Sequence, residues 1–261
     1  MPGTPTRFDV RWFESDAAGR LTLPALCAYL QEAARRNADH LGAGQERMGR
    51  AGLAWVLHRL RIEIERLPRL DEQVAVDTWP CAFDIAVAER DFELRATDGR
   101  RLAAATSRWA VVDLRRRRIA RLPEFVRGQV LPQRPRALLL LGPEPQPPSA
   151  AQLGHEVEVR RADLDMVGHV NNTRYVEWAL EPLPEACLET HPAAFEIVFK
   201  REGLRGDRLV SRAQRTASAQ GAVRYAHAVV RPVDGAVLAH AQSVWHTEGA
   251  AARPAGVARR S

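Results

Sequence analysis

Two segments 149 residues apart repeat one pattern: FDVRWFESDAAGRL (8–21) and VEVRRADLDMVGHV (157–170). Asp9 falls on Glu158, Val10 on Val159, Arg11 on Arg160, Asp16 on Asp165, Gly19 on Gly168 and Leu21 on Val170, while Arg20 falls on His169. A repeat of this kind means that one supersecondary unit is built twice, so the chain has to fold as two like domains. Each copy opens as an alternating strand, turns at a glycine and enters a helix. In the first copy Thr22 is placed to cap the helix and Pro24 suits its first turn; Leu23, Leu26, Leu30, Ala33, Ala34, Asn37 and Leu41 then recur at helical spacing up to Gly42.

After each helix come strand-like runs in the same order. The first copy supplies LAWVLHRLRIEIERL (53–67), EQVAVDTW (72–79), AVAERDFELRA (86–96) and RLAAATSRWAVVDL (101–114). The second supplies AFEIVFKRE (194–202), DRLVSRAQRTA (207–217), VRYAHAVVRP (223–232) and VLAHAQSVWHT (237–247). Both close alike, on SRW at 107–109 and SVW at 243–245, but the offset has dropped to 136 there, so the first copy holds about 13 extra residues in its helix region. One strand, a long helix and about four antiparallel strands bury both apolar faces only if a curved sheet wraps the helix, which predicts an α+β fold in tandem. Between the copies, residues 129–154 carry six prolines around Leu138–Leu141 and read as a linker that crosses a surface with its leucines docked. The expected organisation is an N-terminal domain over 1–128, the linker, a C-terminal domain over 155–248, and a disordered basic tail over 249–261.

Composition narrows the function. With 261 residues, 46% hydrophobic and 27% charged, and with no apolar run near the roughly 20 residues of a membrane helix, the chain reads as soluble and without membrane insertion. MPGTPTRFDV has neither a positive cluster nor an apolar stretch leading to a cleavage site, which predicts a cytoplasmic location. Cys27, Cys81 and Cys187 are far apart and form no CxxC, which argues against a disulfide framework or a thiolate metal site. The net charge of +6 rests on 38 basic residues, of which Lys200 is the only lysine. Its sign favours an acidic partner, and charge alone does not choose among nucleic acid, anionic lipid and an acidic carrier protein.

The stretch DLDMVGHVNNTRYVEWALE (163–181) resembles the second-domain signature of the acyl-ACP thioesterases, enzymes built from two tandem hotdog domains that release fatty acids from acyl carrier protein. The likeness extends through WVLHRLRIEIERLPRLDEQVAVDTW, ATSRWAVVDLRRRRIARLPEFVR and FKREGLRGD, and covers most of residues 8–247. It implies catalysis in the second domain by Asp165, His169 and Glu202, an acyl pocket in the first domain, and a chain that supplies both halves of the usual hotdog pair, with a further homodimer open. Two positions depart from the family pattern. Val167 stands where an asparagine is usual, and a valine cannot hydrogen-bond a water or a carbonyl; Gly203 stands where the plant enzymes have a cysteine, which removes a thiolate mechanism.

Thioester hydrolysis needs a water, a group to take its proton, and donors where charge gathers on the carbonyl oxygen; it needs no metal or organic cofactor. Asn171 and Asn172 stand where the helix begins, so one of them can cap it while backbone N–H groups face the thioester. The expected roles are Glu202 as general base, His169 holding the water or the thioester, and Asp165 orienting the histidine; direct carboxylate attack through an anhydride is the competing route. Asp165 bonding only its own turn is the plainer reading of that residue. Trp55 can line the acyl pocket or belong to the core, whereas Tyr175, Trp178 and Ala179 read as core and the repeated Trp109 and Trp245 as packing. Arg115–Arg118 lacks interleaved aromatics, which argues against nucleic acid and for a solvated loop that, if functional, docks acyl carrier protein and its phosphopantetheine phosphate. Two rivals remain: an acyl-CoA thioesterase on the same fold, and an acyl-binding protein that has lost the chemistry.

Overall fold

The computed structural model describes residues 4–138, 142–150, 152–188, 190–219 and 221–246. The first half runs β1 (Thr6–Asp9), α1 (Leu23–His40), α2 (Gln45–Arg50), β2 (Leu53–Ile64), β3 (Gln73–Phe83), β4 (Val87–Ala96), β5 (Arg101–Asp113), the two-residue β6 (Arg118–Ile119) and α3 (Glu124–Arg127). The second runs β7 (Leu153–Glu158), α4 (Asn172–Leu180), α5 (Glu185–Leu188), β8 (Pro192–Phe199), β9 (Arg208–Ala219), β10 (Ala222–Arg231) and β11 (Ala236–His246).

The long strands form one antiparallel sheet in the order β1-β3-β4-β5-β2-β8-β11-β10-β9-β7, in which the second half mirrors the first. The seam is the pairing of β2 with β8, from Arg59↔Val198 to Glu63↔Ala194. Inner faces of both halves and the helices α1 and α4, which pack side by side, share one apolar core. Thr22 caps α1 by accepting from the Ala25 N–H, and the helix buries Leu23, Leu26, Cys27, Tyr29, Leu30, Ala33 and Ala34 against the sheet. Gly42, at φ +67°, takes the left-handed conformation that ends it.

The expectation of a long helix in each half needs correction. α1 has 18 residues and α4 only nine, because Pro182 and the α5 segment follow directly. With α2, the longer α1 accounts for the change of offset between the two ends of the repeat.

Residues 129–138 and 142–150 hold few regular elements and reach the sheet through individual side chains and carbonyls. Arg134 lies 3.7 Å over the Trp79 ring and pairs with Asp77; Arg136 binds the fully buried Asp91 at 2.8 Å; the Gly142 and Pro143 carbonyls accept from Arg59. Arg59 also holds Glu196 across the seam, Nε to Oε1 at 2.6 Å, with both side chains under 5% exposed. Leu138 is buried, while Leu139–Leu141 and the expected tail at 249–261 fall outside the described residues.

Candidate active site

The two copies of the glycine turn are built by the same hydrogen bonds. Asp165 N–H donates to the His169 carbonyl and Gly168 N–H to the Asp165 carbonyl, as Asp16 does to Arg20 and Gly19 to Asp16. Gly168 and Gly19, at φ +84° and +69°, supply the left-handed step in each. The Asp165 carboxylate accepts from the Val167 and His169 N–H groups at 2.9 and 3.2 Å. Its counterpart Asp16 accepts from Ala18 and Arg20 N–H, both at 2.9 Å. Asp165 was expected to orient the imidazole; that expectation is corrected, since its carboxylate holds the main chain of the turn and bonds no atom of the ring.

The copies differ at the next side chain. Arg20 folds back so that its Nε lies 2.8 Å from Asp16, whereas His169 turns toward the loop after β8, placing Nδ1 3.5 Å from Oε1 of Glu202. That loop is tied from two sides: Val170 N–H donates to the Gly203 carbonyl, and Gly203 N–H donates to the Tyr175 hydroxyl at 2.8 Å. In the first half Leu21 N–H donates to Pro68 in the same way, which makes Leu67 the counterpart of Glu202 and leaves no carboxylate at that position.

Gly203 has a steric reason. A Cβ there would lie 2.9 Å from the Tyr175 hydroxyl and 3.0 Å from Val170, so a cysteine cannot stand at this position without displacing the tyrosine. Tyr175 is 3% exposed, and burial raises its phenol pKa well above the ordinary value, so it stays a neutral hydrogen-bonding post.

First-domain residues complete the surroundings, through contacts that the sequence did not show. Arg117 donates to the other Glu202 oxygen at 3.0 Å. It belongs to the arginine run, whose turn is pinned by Asp113 accepting from the Arg115 and Arg116 N–H groups and by a left-handed Arg117 at φ +49°. Gln31 of α1 accepts from the Asn172 carboxamide at 3.2 Å, and Gln45 of α2 places its amide 4.0 Å from the Met166 sulfur. The internal repeat carries no signal for contacts that cross between its copies.

Asn171 caps α4, accepting from Thr173 N–H at 3.0 Å and from its hydroxyl at 2.8 Å. One of the two asparagines was expected to cap the helix, and Asn171 does so, while the Asn172 carboxamide donates to Gln31. The start of α4, with the positive end of its dipole, follows three residues beyond His169. Trp55 takes the second of its two readings, the core. Its Nε1 donates to the Ala43 carbonyl at 2.9 Å, and the ring packs on a small core of Ala43, Met48, Val111, Leu122 and Val126. Val167 is 59% exposed at the tip of the turn. Trp109 and Trp245 donate to Ser107 and Ser243 in the same manner, which is packing repeated with the fold.

A helix laid across each half of one continuous antiparallel sheet, with a histidine–carboxylate pair at the seam, defines a tandem hotdog protein. The Acyl-ACP thioesterase N-terminal domain model matches residues 4–129 and the C-terminal domain model residues 147–247, so the chain belongs to the acyl-ACP thioesterase family. It is 31% identical over 209 residues to the chloroplastic palmitoyl-acyl carrier protein thioesterase of Gossypium hirsutum, covering 75% of this chain and 51% of that one. To the chloroplastic dodecanoyl-[acyl-carrier-protein] hydrolase of Cinnamomum camphora it is 30% identical, covering 75% and 55%. The chain thus spans about half the length of these relatives. Among solved structures, the 12:0-ACP thioesterase from Umbellularia californica matches with a TM-score of 0.82 at 25% identity over 93% of both chains. The fold is shared with an acyl-ACP thioesterase from Bacteroides thetaiotaomicron, at a TM-score of 0.83, 24% identity and coverage of 93% and 97%.

Proposed function

We propose that this protein is a thioesterase that hydrolyses fatty acyl-ACP to free fatty acid and carrier protein. The observation that carries the reading is the His169–Glu202 pair beside the start of α4, at the seam between the domains. Glu202 takes the proton of a water that attacks the carbonyl carbon; His169 fixes that water or the thioester; the Asn172 N–H and the dipole at the start of α4 receive the charge on the oxygen. Asp165 acts on His169 through the main chain. The proton then leaves with the carrier's thiol, so the residues end the cycle as they began it. No step draws on a cofactor. The N-terminal domain (1–128) holds the acyl chain and the C-terminal domain (155–248) holds the chemistry.

The partner we assign is acyl carrier protein, which is acidic and bears a phosphopantetheine phosphate. The exposed Arg115–Arg118 turn beside Glu202 supports this, because arginines pair with carboxylates and phosphates. A cytoplasmic location is part of the proposal. It is supported by three free cysteines, and no helix among the described residues is long and apolar enough to cross a membrane. Val167 favours a second reading, an acyl-binding protein without turnover, since no amide stands at the turn tip. Palmitoyl-ACP, shorter acyl-ACPs and the matching acyl-CoAs, with free thiol followed over time, separate these readings. Thiol release from acyl-ACP above that from acyl-CoA is expected; acyl binding with no thiol from either gives the second reading.

A further inference from the structure

A pocket of about 530 Å³ opens at the outer edge of the first domain, between β1, the C-terminal half of α1 and β3. It lies at the β1 end of the sheet order, away from the β2–β8 seam where His169 and Glu202 meet. Arg7, Arg36 and His40 line it together with Asn37 and Thr78, and no carboxylate is among its described lining residues. Arg36 donates to Glu32, which it shares with Arg35, whereas Arg7 has no acceptor among the described residues.

Behind this pocket sits Arg90 of β4, 9% exposed. Its Nη1 donates to Asn37 Oδ1 at 2.7 Å and to Thr78 Oγ1 at 3.2 Å, so the two residues that accept from it also line the pocket. Both acceptors are neutral. A guanidinium has five N–H donors and cannot accept, and burying one away from any carboxylate leaves its charge uncompensated. Burial pushes Arg90 down to about 10. The next residue, Asp91, faces the opposite side of the sheet and is already bound by Arg136.

The fold itself does not require a cation at this place. Arg90 pairs across the sheet with Ser107, and in the second half Tyr225 pairs with Ser243; the two serines are matched by their tryptophan donors. Where the second domain has a phenol, the first has an arginine, with Asn37 breaking the apolar stripe of α1 to meet it.

We propose that the edge pocket binds a carboxylate group, with Arg90 as its inner cation and Arg7, Arg36 and His40 as its rim. The volume lies in the range of small-molecule sites. The carboxylate has two possible sources. One is a small free acid entering from solvent. The other is the far end of an acyl chain reaching under α1 from the seam, an arm that rests on the hydrolase reading.

The test is calorimetric titration of suberate and of the matching uncharged diol into the full chain. Suberate is expected to bind and the diol not to, with suberate affinity falling about 10-fold or more in both Arg90→Met and Arg36→Gln. If Arg90→Met fails to fold, Arg36→Gln and Arg7→Gln on the exposed rim carry the comparison. No suberate binding to the wild-type chain, equal binding of the diol, or unchanged affinity in the variants overturns the proposal. A second arm compares thiol release from octanoyl-ACP and from the same thioester ending in a carboxylate. A preference for the carboxylate-ended chain that disappears in Arg90→Met assigns the site to the far end of the substrate. Equal hydrolysis with suberate binding retained assigns it to a free acid. Failure to release thiol from either counts against the hydrolase reading and leaves the binding result standing.

Discussion

The His169 imidazole and the Glu202 carboxylate come from different turns, yet Nδ1 lies 3.5 Å from Oε1. Each is fixed by main-chain bonds: His169 by a turn wound on Asp165, Glu202 by a loop pinned to Val170 and Tyr175. The separation is longer than a hydrogen bond, as is common for catalytic pairs before substrate closes on them. Arg117 occupies the other carboxylate oxygen. The Glu202 carboxylate is therefore shared by an imidazole of one domain and a guanidinium of the other.

Asp165 acts on the backbone, so its charge should matter less than its oxygen. Asp165→Asn keeps an acceptor for the Val167 and His169 N–H groups and should hold turnover within about threefold of wild type. Asp165→Ala frees both N–H groups and should cost about 1 kcal/mol of stability and lower kcat at least 10-fold. Thermal melts and steady-state kinetics on the two variants check this; equal loss in both would mean that the charge acts on the ring.

Restoring a cysteine after the glutamate should harm rather than help. Gly203→Cys pushes a Cβ into the Tyr175 hydroxyl and should destabilise by about 1–3 kcal/mol while lowering turnover. Tyr175→Phe, which orphans the Gly203 N–H, should cost about 1–3 kcal/mol. Denaturant midpoints measure both.

Stability should fall with acid before the carboxylates titrate. His227 is wholly buried, bonded through Nε2 to Ser243 Oγ at 2.8 Å, and burial pushes it down to about 4. The folded state thus keeps it neutral while the unfolded chain takes up a proton below about 6.5. Stability is full above that value and is lost as pH drops toward 4, by about 3 kcal/mol for this group. Burial lowers His240 as well, in the same direction. His227→Phe, matching Phe92 at the equivalent inward position, should flatten most of the loss; urea melts at stepped pH values measure it.

The arginine turn should govern encounter rather than chemistry. The Arg117–Glu202 pair is largely exposed, with side chains 73% and 51% accessible, so it adds little to stability. Replacing Arg115, Arg116 and Arg118 by Gln should lower kcat/KM on acyl-ACP about 10-fold at low salt, leave kcat unchanged, and lose its effect as salt rises. Salt-independent kinetics in wild type and variant alike would remove the docking role.

Much of the fold was legible in the sequence because the internal repeat and the strand and helix periods agree. Thr22, Gly42, Gly168 and Pro182 mark boundaries that local chemistry sets. His169 and Glu202 were legible through a family resemblance, while their meeting depends on loops more than 30 residues apart that no period encodes. The particular partners of Asn171, Asn172 and Trp55 were not legible for one shared reason: the fold decides whether a hydrogen-bonding group goes to a cap, to Gln31 or to Ala43. The contact of Arg117 with Glu202 and the burial of Arg90 were not legible because arginine is abundant in this chain, and only its surroundings in the fold set one guanidinium apart from another.

The central claim is that Glu202 removes a proton from the attacking water. The measurement is single-turnover thiol release from palmitoyl-ACP by wild type and Glu202→Gln, with melting temperatures matched. The variant is expected to fold as wild type, bind the acyl-ACP and react slower by about 100-fold or more. A rate within a few fold of wild type would contradict the account.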